Sequence, residues 1–359
     1  MPDTIADTDA LLGSLRAQFS HSALGFLRRQ IEVLAGLSPD LLPLLNTLEE
    51  LLDGGKRLRP TFAYWGWRSS GGAPDGPIIT AAASLEFLQA GALIHDDVMD
   101  GSDTRRGKPA AHRRLAELHH SQGYLGSSED FGVGSAILLG DLCLSWSDEM
   151  LTSSGLDPAA VQAARPYFDE MRTEVMAGQY LDLLEQVQGR YDLERALRVA
   201  RLKTAKYTVE RPLHIGAAAA GADPAHLREL TAYAIPLGEA FQLRDDMLGV
   251  FGDPAETGKP AGDDLREGKR TALVAIAWTK ADARQQDLLR SHLGDPTITP
   301  ALIDDLRTVI TETGAPEAVE AMIVQRATES AAAIDSMTLD DTTRAAFARL
   351  LVLASHRSA

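Results

Sequence analysis

The stretch LQAGALIHDDVMDGSDTRRGKPAAHRR, Leu88–Arg114, joins an apolar segment to a cluster of aspartates and then to a cluster of cations. The apolar part has helical spacing, and residues i and i+4 lie on one helix face, so Asp96 and Asp100 point the same way. Asp97 lies about 100° round the helix from Asp96. Like charges at this spacing, at the negative end of the helix dipole, weaken the helix. A hard divalent cation with oxygen ligands would compensate for them, so the pattern predicts a metal site.

The rest of the chain is also typical of helices joined by short loops. Aromatic residues make up only 6% of the sequence, and strand-type alternation is rare. The spacing of apolar residues predicts helices over Leu24–Leu37, Ile78–Asp100, Val133–Leu151, Val161–Val187, Leu227–Val250, Leu302–Thr311 and Glu317–Met337. We therefore predict an all-α fold, a single antiparallel helical bundle over residues 1–359 with its core at about 20–340 and frayed ends.

Composition excludes several classes of protein. The 359 residues carry a net charge of −16, which disfavours a general nucleic-acid binder. Cys143 is the only cysteine, so neither an internal disulfide nor a cysteine-based zinc site is expected. The polar, acidic N-terminus is unlike a signal peptide, and no run of 18 or more uncharged apolar residues is found. These features predict a protein of the cytoplasm without a membrane span.

A second acidic cluster occurs in FQLRDDMLGVFGD, Phe241–Asp253, where Asp245 and Asp246 again end an apolar helix. The i+4 position is Gly249, so this cluster lacks the i, i+4 pair of the first one. A third pair, Asp263-Asp264, follows soon afterwards and, taken alone, is more typical of a helix cap. Two acidic pairs that each end an apolar helix predict a site in a cavity of the bundle.

Basic residues form the counterpart of these clusters. GGKRLRP, Gly54–Pro60, places three cations around a helix start, where free N–H groups and glycine backbone favour a bound phosphate. A solvated basic turn is the alternative. Further cations and one hydroxyl residue are scattered along the chain, at Arg105, Arg106, Lys108, Lys203, Thr204, Lys259, Lys269 and Arg270. Together they suit two diphosphates, one held by arginines and one through metal ions.

These motifs together resemble those of the trans-isoprenyl diphosphate synthases, the polyprenyl synthetase family. GGKRLRP is similar to the family's homoallylic diphosphate-binding element, and DDVMD with DTRRG to its first aspartate-rich motif and the basic residues after it. GQYLD, KTAKY, FQLRDD and GKPAGDDLREGK follow in the family's order, so the resemblance covers about residues 45–275. It implies an α-bundle around a deep central cavity, a homodimer, and the substrates isopentenyl diphosphate and an allylic diphosphate.

The resemblance also implies roles for individual residues. Isopentenyl diphosphate is expected to contact Lys56, Arg59, Gln89 and Arg106. Asp96 and Asp100 are expected to ligate two Mg²⁺ ions and Asp245 a third, with Asp97 and Asp246 as further catalytic residues. The allylic diphosphate is expected to contact Arg105, Lys203, Thr204, Gln242, Lys259 and Lys269. Gly249 departs from the family pattern, since many relatives carry the last aspartate of the second motif there.

The expected reaction ionises the allylic diphosphate, adds isopentenyl diphosphate to the cation and removes a proton. Chain length is expected to depend on Leu88, Gly91 and Ala92, because the last two are small and lie one turn before Asp96. A floor one turn deeper, at Phe87 and Leu88, predicts geranylgeranyl diphosphate, unless Gly91 and Ala92 merely allow close helix packing. Three competing hypotheses are a synthase with a farnesyl or longer-chain product, a class I terpene cyclase and a non-catalytic partner subunit.

Overall fold

The all-α prediction is confirmed. The computed structural model describes residues 4–252, 262–295 and 297–355, and the only strands within these ranges form one short antiparallel hairpin, β1 and β2. Up to the middle of the chain the elements are α1 (Thr4–Leu37), a 3-10 turn (Pro39–Leu41), α2 (Leu42–Leu52), α3 (Leu58–Ser69), α4 (Pro77–Asp100), β1 (Thr104–Arg105), β2 (Lys108–Pro109), α5 (Ala111–Ser121), α6 (Ser128–Thr152) and α7 (Pro158–Gln188).

The remaining elements are helical as well. They are α8 (Leu193–Ala200), a π-helix (Arg201–Glu210), α9 (Arg211–Ala219), α10 (Pro224–Phe251), α11 (Asp263–Glu267), α12 (Ala272–Lys280), α13 (Ala283–His292), α14 (Pro300–Glu312), α15 (Ala315–Ser336) and α16 (Asp341–Ser355). The chain divides into two compact units. The first unit comprises the residues up to Arg165 together with Ile215–Ala222, and the second comprises Pro166–His214 and the residues from Asp223 onwards. The single domain stays a prediction.

Helix α4 is the core of the first unit. Every residue from Ala81 to Leu88 is buried, because this stretch is apolar almost all round and packs against α1, α3 and α6. In the described part of the chain, α4 alone is long and apolar enough to cross a membrane, but two thirds of the relevant window is buried inside the protein. The core helix of a soluble protein passes the same test.

The N-terminal helix corrects the prediction that about the first ten residues are frayed, and helices extend beyond the predicted core of about residues 20–340 at both ends. Helix α1 begins at Thr4, twenty residues before the predicted start at Leu24. Leu12, Leu15 and Phe19 recur at helical spacing on its N-terminal half and are buried, and this spacing was the signal for the longer helix. Helix α16 likewise extends the helical chain to Ser355, with Phe347 and Leu350 in the core.

The second unit is arranged around α10. This helix packs against α15 and against the π-helix Arg201–Glu210. Its bounds, Pro224–Phe251, extend the predicted Leu227–Val250 by three residues at one end and one at the other. Asp223 caps its N-terminus by accepting hydrogen bonds from the N–H groups of Ala225 and His226. The apolar helix α12 lies in the same core, against α8, α10, α14 and α15.

Candidate active site

The first acidic cluster forms the last turn of α4, which ends at Asp100 with Gly101 as a left-handed C-cap at φ 67°. Asp97 is 2% exposed, and its Oδ1 accepts a hydrogen bond of 2.9 Å from Nε of Arg105 on strand β1. Asp96 is more open, with Oδ2 lying 3.7 Å from Nη2 of Arg105. Asp97 thus holds Arg105 in place, while Asp96 and Asp100 occupy the adjoining face of the helix.

The environment of Asp97 is apolar enough to disfavour its charge. Burial raises the pKa of Asp97 above its ordinary value, although the hydrogen bond from Arg105 acts in the opposite direction. The charge of Asp96 raises this pKa further. A group of positive charge beside Asp97 would favour the ionised form of this carboxyl.

The cations of GGKRLRP have two different environments. Arg57 has a left-handed backbone at φ 52° and is 4% exposed, and it forms an ion pair of 2.5 Å with Glu86. Its Nε also donates to Oγ of Ser20 at 2.9 Å. Lys56 is exposed and Arg59 is half-buried. Arg57 is therefore structural, and the neighbouring Lys56 and Arg59 are accessible to a ligand.

Arg106 lies beside this segment, as the prediction of a shared site requires. Its Nη1 donates to the carbonyl of Leu51 at 3.0 Å. Gly55 has φ 102°, and a Cβ there would lie 2.9 Å from Nη2 of Arg106, so glycine lets the guanidinium approach the backbone. Burial lowers the pKa of Arg106, and the neighbouring positive charges, among them Arg57, Arg105 and Arg59, lower it further. Such crowded cations favour a bound anion.

Gln89, the other predicted contact of isopentenyl diphosphate, is half-buried on α4. Its Oε1 is buried and has no hydrogen-bond partner within the described ranges. A buried amide oxygen without a donor costs free energy unless a ligand or water supplies one. A diphosphate offers acceptor oxygens, so the amide nitrogen of Gln89, and not this oxygen, is the atom that would contact it.

In the second unit the π-helix carries Lys203 and Thr204 next to α10. Single π-helical turns are rare and are common at functional sites, because they turn side chains out of α-helical register. Thr204 donates to Oε1 of Gln242, and Nε2 of Gln242 donates to Oδ1 of Asp246 at 2.7 Å. Thr204, Gln242 and Asp246 therefore form one chain of hydrogen bonds.

The aspartates of the second motif differ in exposure. Asp245 is exposed, whereas Asp246 is 5% exposed. Burial raises the pKa of Asp246 well above its ordinary value, and the charges of Asp264 and Asp245 raise it further. Asp245 is thus the member of the pair that is open to a metal ion, and Asp246 orients Gln242.

The space left by Gly249 is filled by another carboxylate. A Cβ at Gly249 would lie 2.0 Å from Oδ2 of Asp264. Nζ of Lys269 lies 3.7 Å from Oδ1 of the same residue. The third acidic pair, which we interpreted as a cap, thus places one carboxylate where the second motif lacks its last aspartate. Lys259 lies outside the described residues, as does Asp253.

The motif GQYLD carries two candidate residues to which the sequence assigned no role. Gln179 is 9% exposed, and both polar atoms of its side-chain amide are buried without a hydrogen-bond partner in the described chain. Oδ2 of Asp182 forms an ion pair of 2.7 Å with Nζ of Lys203. Gln179 and Asp182 are therefore further candidates, and the occurrence of the motif in the family's order was the signal for them.

Gly91 requires a correction among the predicted chain-length residues. A Cβ there would lie 3.0 Å from the carbonyl oxygen of Gly140 and 3.2 Å from Cβ of Cys143, both on α6. Gly91 therefore faces the neighbouring helix α6, and close packing of the two helices explains why a glycine occupies this position. Ala92 is half-buried and Leu88 is buried. The chain-length prediction therefore rests on these two residues.

The donor set fits Mg²⁺ better than a metal that needs a full protein cage. Within residues 4–252, 262–295 and 297–355, no group of three or more His, Cys, Asp or Glu side chains is arranged to hold a metal ion. Mg²⁺ keeps several waters and binds through one or two carboxylates plus substrate phosphates. The carboxylates of Asp96 and Asp100 on one helix face are such a pair.

Comparison with known proteins identifies the family. The sequence model described as Polyprenyl synthetase matches residues 43–310. The chain belongs to the polyprenyl synthetase family. It is a trans-isoprenyl diphosphate synthase and hence a transferase, which confirms the resemblance and the predicted class of enzyme.

Relatives of this polyprenyl synthetase make products of different lengths. A geranylfarnesyl diphosphate synthase of Aeropyrum pernix is 36% identical over 65% of the chain and 69% of the relative. An octaprenyl diphosphate synthase of Escherichia coli is 31% identical over 72% of the chain and 76% of the relative.

Solved structures share the fold over nearly the whole length. A geranylgeranyl pyrophosphate synthase from Corynebacterium glutamicum, complexed with isoprenyl diphosphate and magnesium, is 40% identical with a TM-score of 0.92. The match covers 98% of this polyprenyl synthetase and 99% of that chain.

Proposed function

We propose that this synthase condenses isopentenyl diphosphate with an allylic diphosphate, with Mg²⁺ as cofactor, and releases mainly geranylgeranyl diphosphate. The observation that carries the product length is the arrangement of α4 below the aspartates. Ala92 is small and half-buried, whereas Phe87 and Leu88, about one turn deeper, are bulky and fully buried. A chain of fifteen carbons would pass Ala92, and one of twenty would stop at Leu88, which lies one turn deeper on the same helix face as Ala92.

Phe87, next to Leu88 in the chain, is held by aromatic neighbours on the side of α4 that faces α1 and α6. The ring of Phe87 contacts Phe26 with centroids 5.2 Å apart and Trp146 with centroids 6.2 Å apart, both edge to face. Such pairs stabilise one another beyond their buried area. This cluster of three rings holds the turn of α4 that carries Leu88 in place.

Isopentenyl diphosphate is assigned to the first unit. Lys56 and Arg59 at the start of α3 and Arg106 after β1 bind its diphosphate, and Gln89 donates to it through its side-chain amide. The planar arginine groups bind phosphate oxygens in a bidentate manner and orient the substrate. Orientation matters because the double bond must be presented to the allylic carbon.

The allylic diphosphate is assigned to three carboxylates and a set of cations. Mg²⁺, when bound, neutralises charge on the departing diphosphate. In the first unit Asp96 and Asp100 would hold two ions, and in the second unit Asp245 would hold one. Arg105, Lys203, Lys259 and Lys269 bind the diphosphate oxygens. Thr204 and Gln242 direct their oxygens toward the developing cation, while Asp97 holds Arg105 and Asp246 holds Gln242.

The protein is further proposed to form a homodimer through α6. Ile137 and Leu138 on this helix are 43% and 62% exposed, and Leu125 in the preceding loop is 98% exposed. Large exposed apolar side chains mark an interaction surface when they form one patch, and we propose that these three do. Leu138→Asp should turn the dimer into a monomer in analytical ultracentrifugation, and a Leu138→Asp protein that stays dimeric would place the interface elsewhere.

The function is tested with purified protein, isopentenyl diphosphate, an allylic diphosphate and Mg²⁺. The expected product runs as the twenty-carbon alcohol after dephosphorylation. Asp96→Asn should reduce turnover by roughly 10³-fold or more, because the leaving group loses electrostatic stabilisation, and Asp75→Asn in an exposed loop should not. Cyclised hydrocarbon as product would indicate a terpene cyclase, and absence of product would indicate a non-catalytic subunit.

A further inference from the structure

His95, directly before the first aspartate, is attached to the neighbouring helix α6. Its Nε2 lies 3.1 Å from the carbonyl oxygen of Ile137 and 3.7 Å from Oδ1 of Asp141. Because a carbonyl can only accept, Nε2 carries the proton and donates it, which assigns the tautomer from the hydrogen-bond partner. The imidazole thus joins the end of α4 to a helix 42 residues further along the chain.

The contact depends on a glycine. A Cβ at Gly140 would lie 2.1 Å from Nε2 and 2.4 Å from Cδ2 of His95, so the ring occupies the space that any side chain would need. One turn earlier on α4, Gly91 makes its own close approach to α6. The two helices are therefore in close contact over the turn that precedes the aspartates.

A second attachment lies on the opposite side of α4. Residues two apart on an α-helix are separated by about 200°, so Asp97 points away from His95. Asp97 is bound to Arg105 by the hydrogen bond of 2.9 Å. Asp96 and Asp100 lie on the face of α4 between His95 on one side and Asp97 on the other. A helix end frays and rotates unless it is restrained, and here it is restrained on both sides.

We propose that His95 is a positioning residue that, with the Asp97–Arg105 pair, fixes the rotation of the last turn of α4 and so aims Asp96 and Asp100 at the Mg²⁺–diphosphate ligand. This inference rests on the proposed function, which assigns those two carboxylates to Mg²⁺. Loss of the attachment should weaken binding of Mg²⁺ with diphosphate and leave binding of isopentenyl diphosphate largely unchanged.

The first test measures ligand binding and does not require activity. Thermal unfolding of wild-type protein is followed while Mg²⁺ is titrated at a fixed, saturating concentration of inorganic pyrophosphate. His95→Ala should raise the Mg²⁺ concentration that gives half of the thermal shift about tenfold, the factor that one hydrogen bond contributes. His95→Gln, whose amide can donate to the same carbonyl, should stay within about threefold of wild type.

The second test uses the glycine partner. Gly140→Ala should displace the ring and reproduce the effect of His95→Ala. Gly134→Ala on the same helix is the matched control, because nothing lies within 4 Å of the added Cβ. In a protein that already carries His95→Ala, Gly140→Ala should add less than about a twofold change, since the ring that it displaces is absent.

Several outcomes would overturn the inference. One is a His95→Ala protein that unfolds at a lower temperature without ligand but needs no more Mg²⁺, since His95 would then serve packing alone. Others are equal behaviour of Gly140→Ala and Gly134→Ala, or a wild type that shows no shift with Mg²⁺ and pyrophosphate. A wild type that binds this pair but forms no prenyl product would contradict the proposed function, and the His95 comparison would still decide the inference.

Discussion

Two arginines of one short motif have opposite roles at the residue scale. Arg57 is buried, with a left-handed backbone and an ion pair to Glu86. Arg59, two residues later, is half-buried and lies among the positive charges that lower the pKa of Arg106. Removing one member of a buried ion pair leaves an uncompensated charge, so Arg57 serves the fold. We propose that Arg59 binds the substrate.

Arg59→Lys should raise the KM for isopentenyl diphosphate about tenfold and the KM for the allylic diphosphate much less. A lysine keeps the charge but cannot reproduce the two parallel hydrogen bonds of a guanidinium. Steady-state kinetics with each substrate varied in turn provide the measurement, with the exposed Arg28→Lys as control. Equal changes in both KM values would mean that the two diphosphate sites are assigned wrongly.

Asp264→Asn should reduce turnover about tenfold, because this residue supplies the negative charge that Gly249 does not. The amide keeps the shape beside Gly249 and removes only the charge. Asp263→Asn is the matched control on the same short helix. Similar turnover in the two variants would show that Asp264 fills space without contributing to the metal site.

At the scale of elements, the π-helix Arg201–Glu210 depends on a polar network that joins it to α10. Nε2 of His214 lies 3.1 Å from the carbonyl of Leu227 and 3.0 Å from Oγ1 of Thr231. Thr231 in turn donates to Glu210 at 2.9 Å. Burial lowers the pKa of His214, although the charge of Glu210 opposes the shift and Arg211 contributes to it.

The free energy of unfolding should therefore fall as the pH drops below about 6.5. Because the pKa of His214 is lower in the folded protein, there is a pH range in which His214 is protonated only in the unfolded chain. In this range a fall in pH favours unfolding. This single histidine contributes at most about 1.4 kcal/mol per pH unit. Urea unfolding at pH 7.5 and 5.5 should show a weaker dependence in His214→Gln than in wild type.

The control for this prediction is His120→Gln, since His120 is exposed on α5. It should keep the wild-type dependence on pH. If His214→Gln also keeps that dependence, the acid sensitivity of the protein arises from other groups.

At the scale of the whole molecule, we expect the length of the product to depend on the depth of the space beside α4. Substitution of Ala92 by Val, Leu and Phe should shift the product progressively from twenty to fifteen carbons, because each larger side chain fills more of the level one turn before Asp96. Chromatography of the dephosphorylated products gives the ratio. Gly91→Phe is no substitute for this series, since its ring would collide with α6.

A wild type that already stops at fifteen carbons would place the floor above Leu88. Unchanged products throughout the Ala92 series would mean that another element limits the chain. Leu88→Ala, which shortens the side chain one turn deeper on the face of Ala92, should instead lengthen the product.

The sequence by itself determined the helices and the family, because both depend on local or ordered patterns. The apolar spacing predicted Ile78–Asp100, and the helix is Pro77–Asp100. One pattern was overlooked: Leu12, Leu15 and Phe19 keep helical spacing along the N-terminal half of α1, but we did not predict a helix there. The acidic and basic clusters could also be predicted from the sequence, because each cluster consists of residues that are close together in the chain and lie at one helix end.

Only the tertiary structure decided which of these residues are accessible to a ligand, because that depends on partners distant in sequence. It buried Arg57 against Glu86 and left Lys56 and Arg59 accessible. It turned Gly91 toward α6, and it placed Asp264 in the space at Gly249. It also seated His95 on Gly140. Each of these contacts joins two segments that are distant in the sequence. The spacing of residues within one segment does not predict which residues of the other segment will lie against it.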